Sequence, residues 1–326
     1  MSLIFRTLLS AASATLALSG SLRAEEVTLR YLASHGGVNA HELAQELGYF
    51  DGTGVSVVSA GYASGGPESL FALAAGSVDI GSAATSAVLN SIAGGNDFVA
   101  AYPTNGINDD VQSKFVVLEG SPIHEVGDIV GKTIAINTLG AHLDYTVREA
   151  LHAAGLPQDA ANLVVVPGPQ LEQVLRSGQV DMTAFGYWQT TFEGAARDGG
   201  GLRTVFDDTD VLGEIAGGFT VLRRDFTDAQ PDAARTFVAQ SARALDYARE
   251  HPAETREIMA RMLEERGENP EVARYFAGYG VREGGLATER DLQFWIDVLE
   301  REEVLSEGQL TASDVLLVTG DASVSN

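Results

Sequence analysis

Apolar and polar residues alternate over residues 27–32, and this period of two predicts a first β-strand. The apolar positions then take helical spacing over residues 40–47, where Asn39 can cap the helix and Gly48 can end it. Further strands are predicted, with helices between them, at residues 55–58, 78–80 and 98–102. A chain that alternates strands and helices in this order favours an α/β lobe with a mostly parallel sheet.

The stretch at residues 61–85 organises this first part of the chain. Gly65 and Gly66 lead into an apolar helix, Gly76 ends that helix, and a short strand follows at once. A second helix is predicted from Thr85, so two helix N-termini flank one strand. Such N-termini present unpaired backbone N–H groups and a partial positive charge. We therefore expect this stretch to hold a small polar or anionic ligand.

A second α/β unit follows, with the same order of elements. The segment PESLFALAAGSVDIG at residues 67–81 is matched by PQLEQVLRSGQVDMT at residues 169–183: a helix, a glycine stop, Val-Asp and a strand. The polar residues 104–110 predict the crossing out of the first unit, and residues 219–222 predict the strand that returns to it. We expect two similar lobes that face each other, the first from residues 25–110 plus 218–326 and the second from residues 111–217. From Pro231 onward the pattern is nearly all helical, and the aromatic residues at 292–299 are expected in the core.

The N-terminal segment, residues 1–24, has the pattern of a secretory signal peptide. Arg6 precedes an apolar run over residues 7–18, and Ala24 offers a small residue for cleavage. A membrane-associated helix is the alternative, but the run is too short to serve as a membrane anchor. The chain has no cysteine, which excludes disulfides, thiolate metal sites, a cysteine nucleophile and a lipid-modified cysteine. We expect a soluble periplasmic protein without a membrane anchor.

The net charge of the chain limits the binding partners that it can have. The formal net charge is -24, and only two of the 21 basic residues are lysines. A surface this acidic repels nucleic acid and anionic membranes, so we exclude both as partners.

The candidate site residues lie at the predicted strand-to-helix turns, where side-chain donors and backbone N–H groups converge. His35 can donate to an anion or stack on a ring, the neutral imidazole of His142 can donate one hydrogen bond, and Trp188 can cover a ligand face. Simple capping or packing is the alternative at each position. The complete ligand-binding set is His35, Gly36, Ser64, Gly65, Ser82, Ala83, Thr85, Thr138, Gly140, His142 and Trp188. Asn108 and Phe219, beside the crossings, are weaker candidates.

Catalytic and metal chemistry find little support in the sequence. Asp79 and Asp181 occupy matching places in the two lobes, and we expect turn or strand-edge residues there instead of an acid–base pair. The spacing of His35 and His41 fits no zinc motif, and no nucleophile elbow or P-loop lysine is present. We predict no metal, no cofactor and no enzyme activity.

Several segments carry a family resemblance. Residues 41–50 (HELAQELGYF), 65–81, 131–155 and 180–188, together with the helical last third, resemble the solute-binding proteins of ABC importers for nitrate, alkanesulfonates and taurine. That group includes relatives that bind thiamine-precursor pyrimidines. The resemblance implies an α/β, two-lobed type II periplasmic-binding fold with two crossing strands and a ligand clamped between the lobes. It also implies a monomer that delivers a small-molecule solute to an ABC permease with a cytoplasmic ATPase.

The chain departs from the family at two points. The family often has Trp-Asp-Pro where this chain has Trp188, Gln189 and Thr190, and members that bind strong anions often place a Lys or Arg in the cleft. The candidate turns here offer only His35 and His142 as cationic groups. The leading hypothesis is a carrier of a small polar or anionic organic solute, similar to a sulfonate, taurine or nitrate. The alternatives are a binder of a neutral or aromatic heterocycle, an enzyme of the thiamine-pyrimidine-synthesis type, which the lack of cysteine disfavours, and a periplasmic sensor domain.

Overall fold

A computed structural model describes residues 26–317, so the predicted signal peptide lies outside the described residues. The strands are β1 (Val27–Ser34), β2 (Val55–Ala63), β3 (Ile80–Ala84), β4 (Phe98–Ile107), β5 (Lys114–Leu118), β6 (Thr133–Ile136), β7 (Asn162–Val165), β8 (Met182–Phe185), β9 (Leu202–Asp207) and β10 (Ile215–Arg223). The helices are α1 (Ala40–Glu46), α2 (Gly66–Ala74), α3 (Thr85–Ala93), α4 (His142–Ala153), α5 (Leu171–Arg176), α6 (Thr190–Asp198), α7 (Asp208–Leu212), α8 (Arg224–Ala229), α9 (Pro231–Glu250), α10 (Pro252–Glu265), α11 (Glu289–Arg301) and α12 (Ala312–Val315). Short 3-10 helices lie at Val126–Ile129, Gly168–Gln170, Tyr187–Gln189 and Pro270–Tyr275.

The strands form three sheets. β1 pairs with β2 in parallel, β10 lies between β3 and β4, and the remaining five follow the order β7-β6-β8-β5-β9. We call the first two sheets with helices α1–α3 and α8–α12 the first lobe, and the five-stranded sheet with helices α4–α7 the second lobe. The chain passes from the first lobe to the second after β4 and returns to the first lobe along β10, and we call these two the crossing strands.

The expectation of parallel strands in the first lobe holds for β1 and β2, and β3 and β4 also run in one direction, but it does not hold for β10. β10 pairs antiparallel with both β3 and β4, because it re-enters the first lobe after the chain has left along β4. In the second lobe β6 is parallel to β7 and β8, whereas β5 is antiparallel to β8 and β9. The strands also differ in length from the sequence prediction: β2 continues to Ala63, and β3 covers Ser82 and Ala83, which were expected in a turn.

The matching segments at residues 67–81 and 169–183 form the same local structure in the two lobes. Gly76 and Gly178 have φ of 69° and 71°, a left-handed conformation that favours glycine at a helix end. Asp79 then accepts a hydrogen bond from the backbone N–H of Arg30 at 3.0 Å, and Asp181 accepts one from Thr133 at 2.8 Å. Each aspartate thus ties the end of its helix–turn unit to the adjacent strand, β1 or β6.

Four apolar clusters fill the described part of the molecule. One lies under β1, β2 and the C-terminal helices α9 and α10, and a second joins α3, β10 and α11. The other two cover the opposite faces of the five-stranded sheet. Trp295 of α11 is fully buried, as expected for the aromatic residues of this helix. Within residues 26–317, no helix combines the length and apolar character needed to cross a membrane.

Candidate functional site

A cavity of about 270 Å³ lies between the lobes and is lined from both of them. The first lobe contributes the turn after β1, the turn into α2, parts of β3 and β4, and residues near the 3-10 helix Pro270–Tyr275. The second lobe contributes the turn after β6, the segment around the 3-10 helix Gly168–Gln170, and residues 187–192. The strand ends and helix starts of the two lobes therefore meet at one cleft.

Most of the residues predicted from sequence lie along this cavity. They are His35, Gly36, Ser64, Gly65, Ser82, Ala83, Thr138 and Trp188. Their contact with a ligand stays a prediction. The structure does not bring Thr85, Gly140 or His142, or the weaker candidates Asn108 and Phe219, to the lining.

The three outlying predictions have structural contacts instead. The Thr85 hydroxyl donates to the Ala216 carbonyl at 3.1 Å and fixes the start of α3 to β10. Gly140 forms the left-handed turn before α4, with φ of 68°. His142 begins α4, as predicted, but its ring is fully buried and its Nε2 lies 2.7 Å from Oδ2 of Asp208.

His142 packs behind Tyr187 and Trp188, two aromatic residues that line the cavity. Its ring meets Tyr187 edge-on, with 4.9 Å between the ring centroids, and packs in the same way on Trp188 and Trp295. Burial raises the pKa of Tyr187 well above its usual value, and the charge of Asp208 adds to the effect. Tyr187 therefore faces the cleft as an uncharged phenol.

The turn after β1 reaches across the cleft. The carbonyl of Gly36 accepts a hydrogen bond from the Thr191 hydroxyl of α6 at 3.1 Å. Gly36 has φ of 68°, and a Cβ at this position would lie 3.0 Å from the Phe192 ring. Only glycine allows this close approach between the lobes without displacement. The ring of His35 stacks on Tyr62 with 4.4 Å between the centroids and points its Nδ1 toward Glu268, 3.5 Å away.

Backbone N–H groups at three of the predicted turns are already bonded to carboxylates of the chain. Gly36 donates to Glu268 at 2.7 Å, Ser64 to Glu68 at 2.7 Å, and Gly140 to Asp144 at 2.8 Å. The sequence predicted free N–H donors at these turns. The structure shows that side chains from the first turns of α2 and α4, and from the loop after α10, occupy them.

Asn105 and Asn137 are two of the four amides in the lining that sequence reasoning did not assign to the site. Asn105 of β4 is 8% exposed, and no described residue is hydrogen-bonded to its side chain. Asn137 directly follows β6, and its buried Oδ1 has no hydrogen-bond partner among the described residues. A polar residue at the carboxyl end of an apolar parallel strand was a signal for Asn137. Asn105 had no comparable signal, because its strand continues on both sides of it.

The rest of the lining combines apolar and aromatic side chains with hydroxyls and with the amides of Asn39 and Gln189. It includes Trp188, Phe192 and Phe276, and it contains no Lys, Arg, Asp or Glu. Across residues 26–317, no group of three or more His, Asp or Glu side chains is arranged to hold a metal ion.

A family model described as NMT1/THI5 like matches residues 39–255, which is more than half of the chain. The chain belongs to the NMT1/THI5-like family. The match begins at Asn39, in the turn that lines the cleft, and extends through both lobes into α10. None of the curated proteins matches this NMT1/THI5-like chain in sequence.

Solved structures share the fold of this NMT1/THI5-like chain. The periplasmic aliphatic sulphonate binding protein SsuA from Escherichia coli is 19% identical, with a TM-score of 0.70 over 90% of this chain and 92% of that one. The alkanesulfonate-binding protein SsuA from Xanthomonas axonopodis pv. citri, bound to MOPS, is 18% identical, with a TM-score of 0.70 over 90% and 99%. A zinc-bound ligand-binding component of an ABC-type import system from Staphylococcus aureus is 13% identical, with a TM-score of 0.72 over 90% and 97%. The chain has the fold of the periplasmic binding proteins.

Proposed function

We propose that this protein is the extracytoplasmic solute-binding component of an ABC importer and holds a small organic solute between its lobes. The observation that carries the proposal is the cavity of about 270 Å³ that both lobes line, with the crossing strands β4 and β10 joining them. Membership of the NMT1/THI5-like family and the names of the solved structures of the same fold support it. In this proposal the lobes comprise residues 25–110 plus 218–326 and residues 111–217.

Contacts across the cleft explain how such a protein would hold its solute. Besides the Thr191–Gly36 hydrogen bond, α6 packs on the 3-10 helix Pro270–Tyr275, where Asp198 bonds to Tyr275 and to Arg274. A Cβ on Gly194 would lie 2.5 Å from the Tyr275 ring, so this ring packs directly on the backbone of α6. Closing the lobes over a solute forms these contacts, and opening them releases it.

The proposed role is binding without turnover. The buried pair His142–Asp208 is the arrangement that most resembles catalytic machinery, but both side chains are fully buried behind Tyr187. The absence of cysteine argues against an enzyme of the thiamine-pyrimidine-synthesis type. The solute would pass to a permease with a cytoplasmic ATPase, and the protein would act in the periplasm as a monomer.

The solute class has two candidates. A sulfonate, taurine or nitrate is the prediction from the family resemblance. A neutral or aromatic heterocycle is favoured by the lining, in which Trp188 and Phe192 offer flat apolar faces and no Lys or Arg is available to pair with an anion.

A binding screen on the mature protein tests the function. Taurine, ethanesulfonate, nitrate, bicarbonate, benzoate and 4-aminopyrimidine are added singly, and the melting temperature is measured. A bound solute raises it by mass action. Small-angle scattering then shows whether binding makes the protein more compact, and chromatography of the solute shows whether it is consumed. Consumption of a bound solute, or binding without compaction, would contradict the proposal.

A further inference from the structure

We infer that the cleft selects an uncharged, flat organic solute with an edge of hydrogen-bond donors and acceptors, and that it excludes anions. This inference rests on the proposed solute-binding function and specifies the substrate class of that same site. Three features carry it: carboxylates at the cleft turns, the absence of Lys and Arg from the lining, and two amides of the lining, Asn105 and Asn137.

The carboxylates come first because they occupy the groups that an anion would use. Glu68 and Glu268 each accept a hydrogen bond at 2.7 Å from the backbone N–H of a residue that lines the cavity, Ser64 and Gly36 respectively. Asp144 accepts one at 2.8 Å from Gly140, which does not line the cavity but lies in the same turn as Thr138, which does. Helix starts and such turns ordinarily favour anions, since their N–H groups point outward with partial positive charge. Here a negative charge already sits on each donor. An anionic solute at these turns would meet like charges instead of free N–H groups.

The neighbouring cations do not reverse this balance. Arg148 pairs with Asp144 at 2.7 Å and therefore offsets only that carboxylate. Glu68 has no ion-pair partner among the described residues, and Glu268 has only His35, at 3.5 Å. Arg266, which contacts the turn after β1, is committed to the buried carboxylate of Glu42 and to the carbonyl of Gly37.

The amides specify what the solute must offer instead. Asn105 and Asn137 both line the cavity, and Asn105 is 8% exposed and makes no side-chain hydrogen bond to a described residue. The Oδ1 of Asn137 is fully covered and has no partner among the described residues, so the amide must turn to present it to a solute. An asparagine amide presents a donor and an acceptor side by side, and leaving these groups unpaired in a buried site is costly. A solute edge that carries both a donor and an acceptor satisfies them. The rings of Trp188 and Phe192 suit a flat body attached to that edge.

A matched series of probes tests the inference. Benzamide, benzoate and benzenesulfonate share one ring and differ in charge and in the donor–acceptor edge. Isothermal titration calorimetry at constant ionic strength should show that benzamide binds at least about tenfold more tightly than either anion. Replacing Asn137 by Leu should weaken benzamide binding by about tenfold or more, because the partner of the amide edge is lost.

The variant Glu68→Gln tests whether the charge of this carboxylate, and not the shape of the turn, disfavours anions. Its amide oxygen can still accept from Ser64, so the turn is retained while the charge is removed. Benzoate should then bind about threefold or more tightly than to the wild type, with benzamide unchanged within about twofold. Glu172→Gln is the matched control, because Glu172 lies in the first turn of α5 and does not line the cavity. It should change neither affinity.

Two results would overturn the inference. One is binding of benzoate or benzenesulfonate as tight as that of benzamide, and the other is no measurable binding of benzamide at about 10 mM. If an anion binds tightly and the lobes close on it, the solute-binding function stands and only the charge selection fails. If no solute of either panel binds, the function itself fails.

Discussion

The buried histidine of α1 makes the stability of the protein sensitive to acid. His41 is 1% exposed, its Nδ1 lies 2.7 Å from the Tyr102 hydroxyl, and its Nε2 has no partner among the described residues. Burial, and secondarily the charge of Arg266, lower its pKa from 6.5 to about 3. The folded protein therefore binds a proton at this site far more weakly than the unfolded chain does.

The sign and size of the effect follow from linkage. Between pH 6.5 and pH 3 the unfolded state holds more protons, so the free energy of unfolding falls as the pH falls. The stabilising contribution of neutral His41 is fully present above pH 6.5. At pH 4.5, two units lower, about 3 kcal/mol is lost, at about 1.36 kcal/mol per unit. The loss approaches about 5 kcal/mol below pH 3, which is comparable to the whole stability of many domains.

Urea denaturation at pH 7 and at pH 4.5 measures this loss. His41→Leu removes the titrating group and should be less stable at pH 7, because Tyr102 loses its partner, but its stability should fall less on acidification than that of the wild type. The difference between the two falls should be about 2 to 3 kcal/mol. His152→Gln, at the end of α4, is the control and should follow the wild type. Equal pH dependence of wild type and His41→Leu would refute the argument.

Three further predictions concern the cleft and the lobes. Gly194→Val should weaken binding of any solute that closes the lobes by about tenfold, since overpacking against Tyr275 costs about 1 to 3 kcal/mol. Scattering should show a larger radius for this variant, and Gly120→Val, which meets nothing within 4 Å, should match the wild type in both measurements. Trp188→Ala should reduce solute affinity by about tenfold or more in calorimetry and Trp188→Phe by less, because the flat face is then partly kept; equal losses would argue against stacking. Asp79→Ala and Asp181→Ala should each lower the free energy of unfolding in urea by about 1 to 3 kcal/mol, since each leaves a backbone N–H without its acceptor. If either variant is as stable as the wild type, the aspartate at that position does not link its helix–turn unit to the adjacent strand.

The order of elements could be predicted from the sequence because its signals are local. Gly76 and Gly178 end helices in their own segments, and Asp79 and Asp181 follow at a fixed distance. The direction of β10 could not be predicted in the same way, because more than a hundred residues separate it from its partner β4 and no local pattern fixes how the two strands pair. The crossing itself was predicted, but its antiparallel pairing was not.

The site was predicted only as far as local turns define it. His35 and Trp188 lie along the cavity, as the turn pattern suggested, but the carboxylate that occupies the Gly36 N–H belongs to Glu268, 232 positions further along the chain. His142 shows a second limit. Its place in the first turn of α4 was correct, but the buried Asp208 that draws its ring inward comes from the start of α7.

The crossing strands have one property that bears on how the protein can be used. The ladder between β4 and β10 changes register between Ala216 and Gly218, between Gly218 and Phe219, and between Thr220 and Val221. An irregularity of this kind locally interrupts the ladder, bends the strand and increases its twist. Since the chain also lacks cysteine, two engineered thiols, one on each lobe, would carry fluorophores at defined places. The distance between the dyes would then report lobe movement directly, which makes this scaffold suitable for a reagentless optical sensor of its solute.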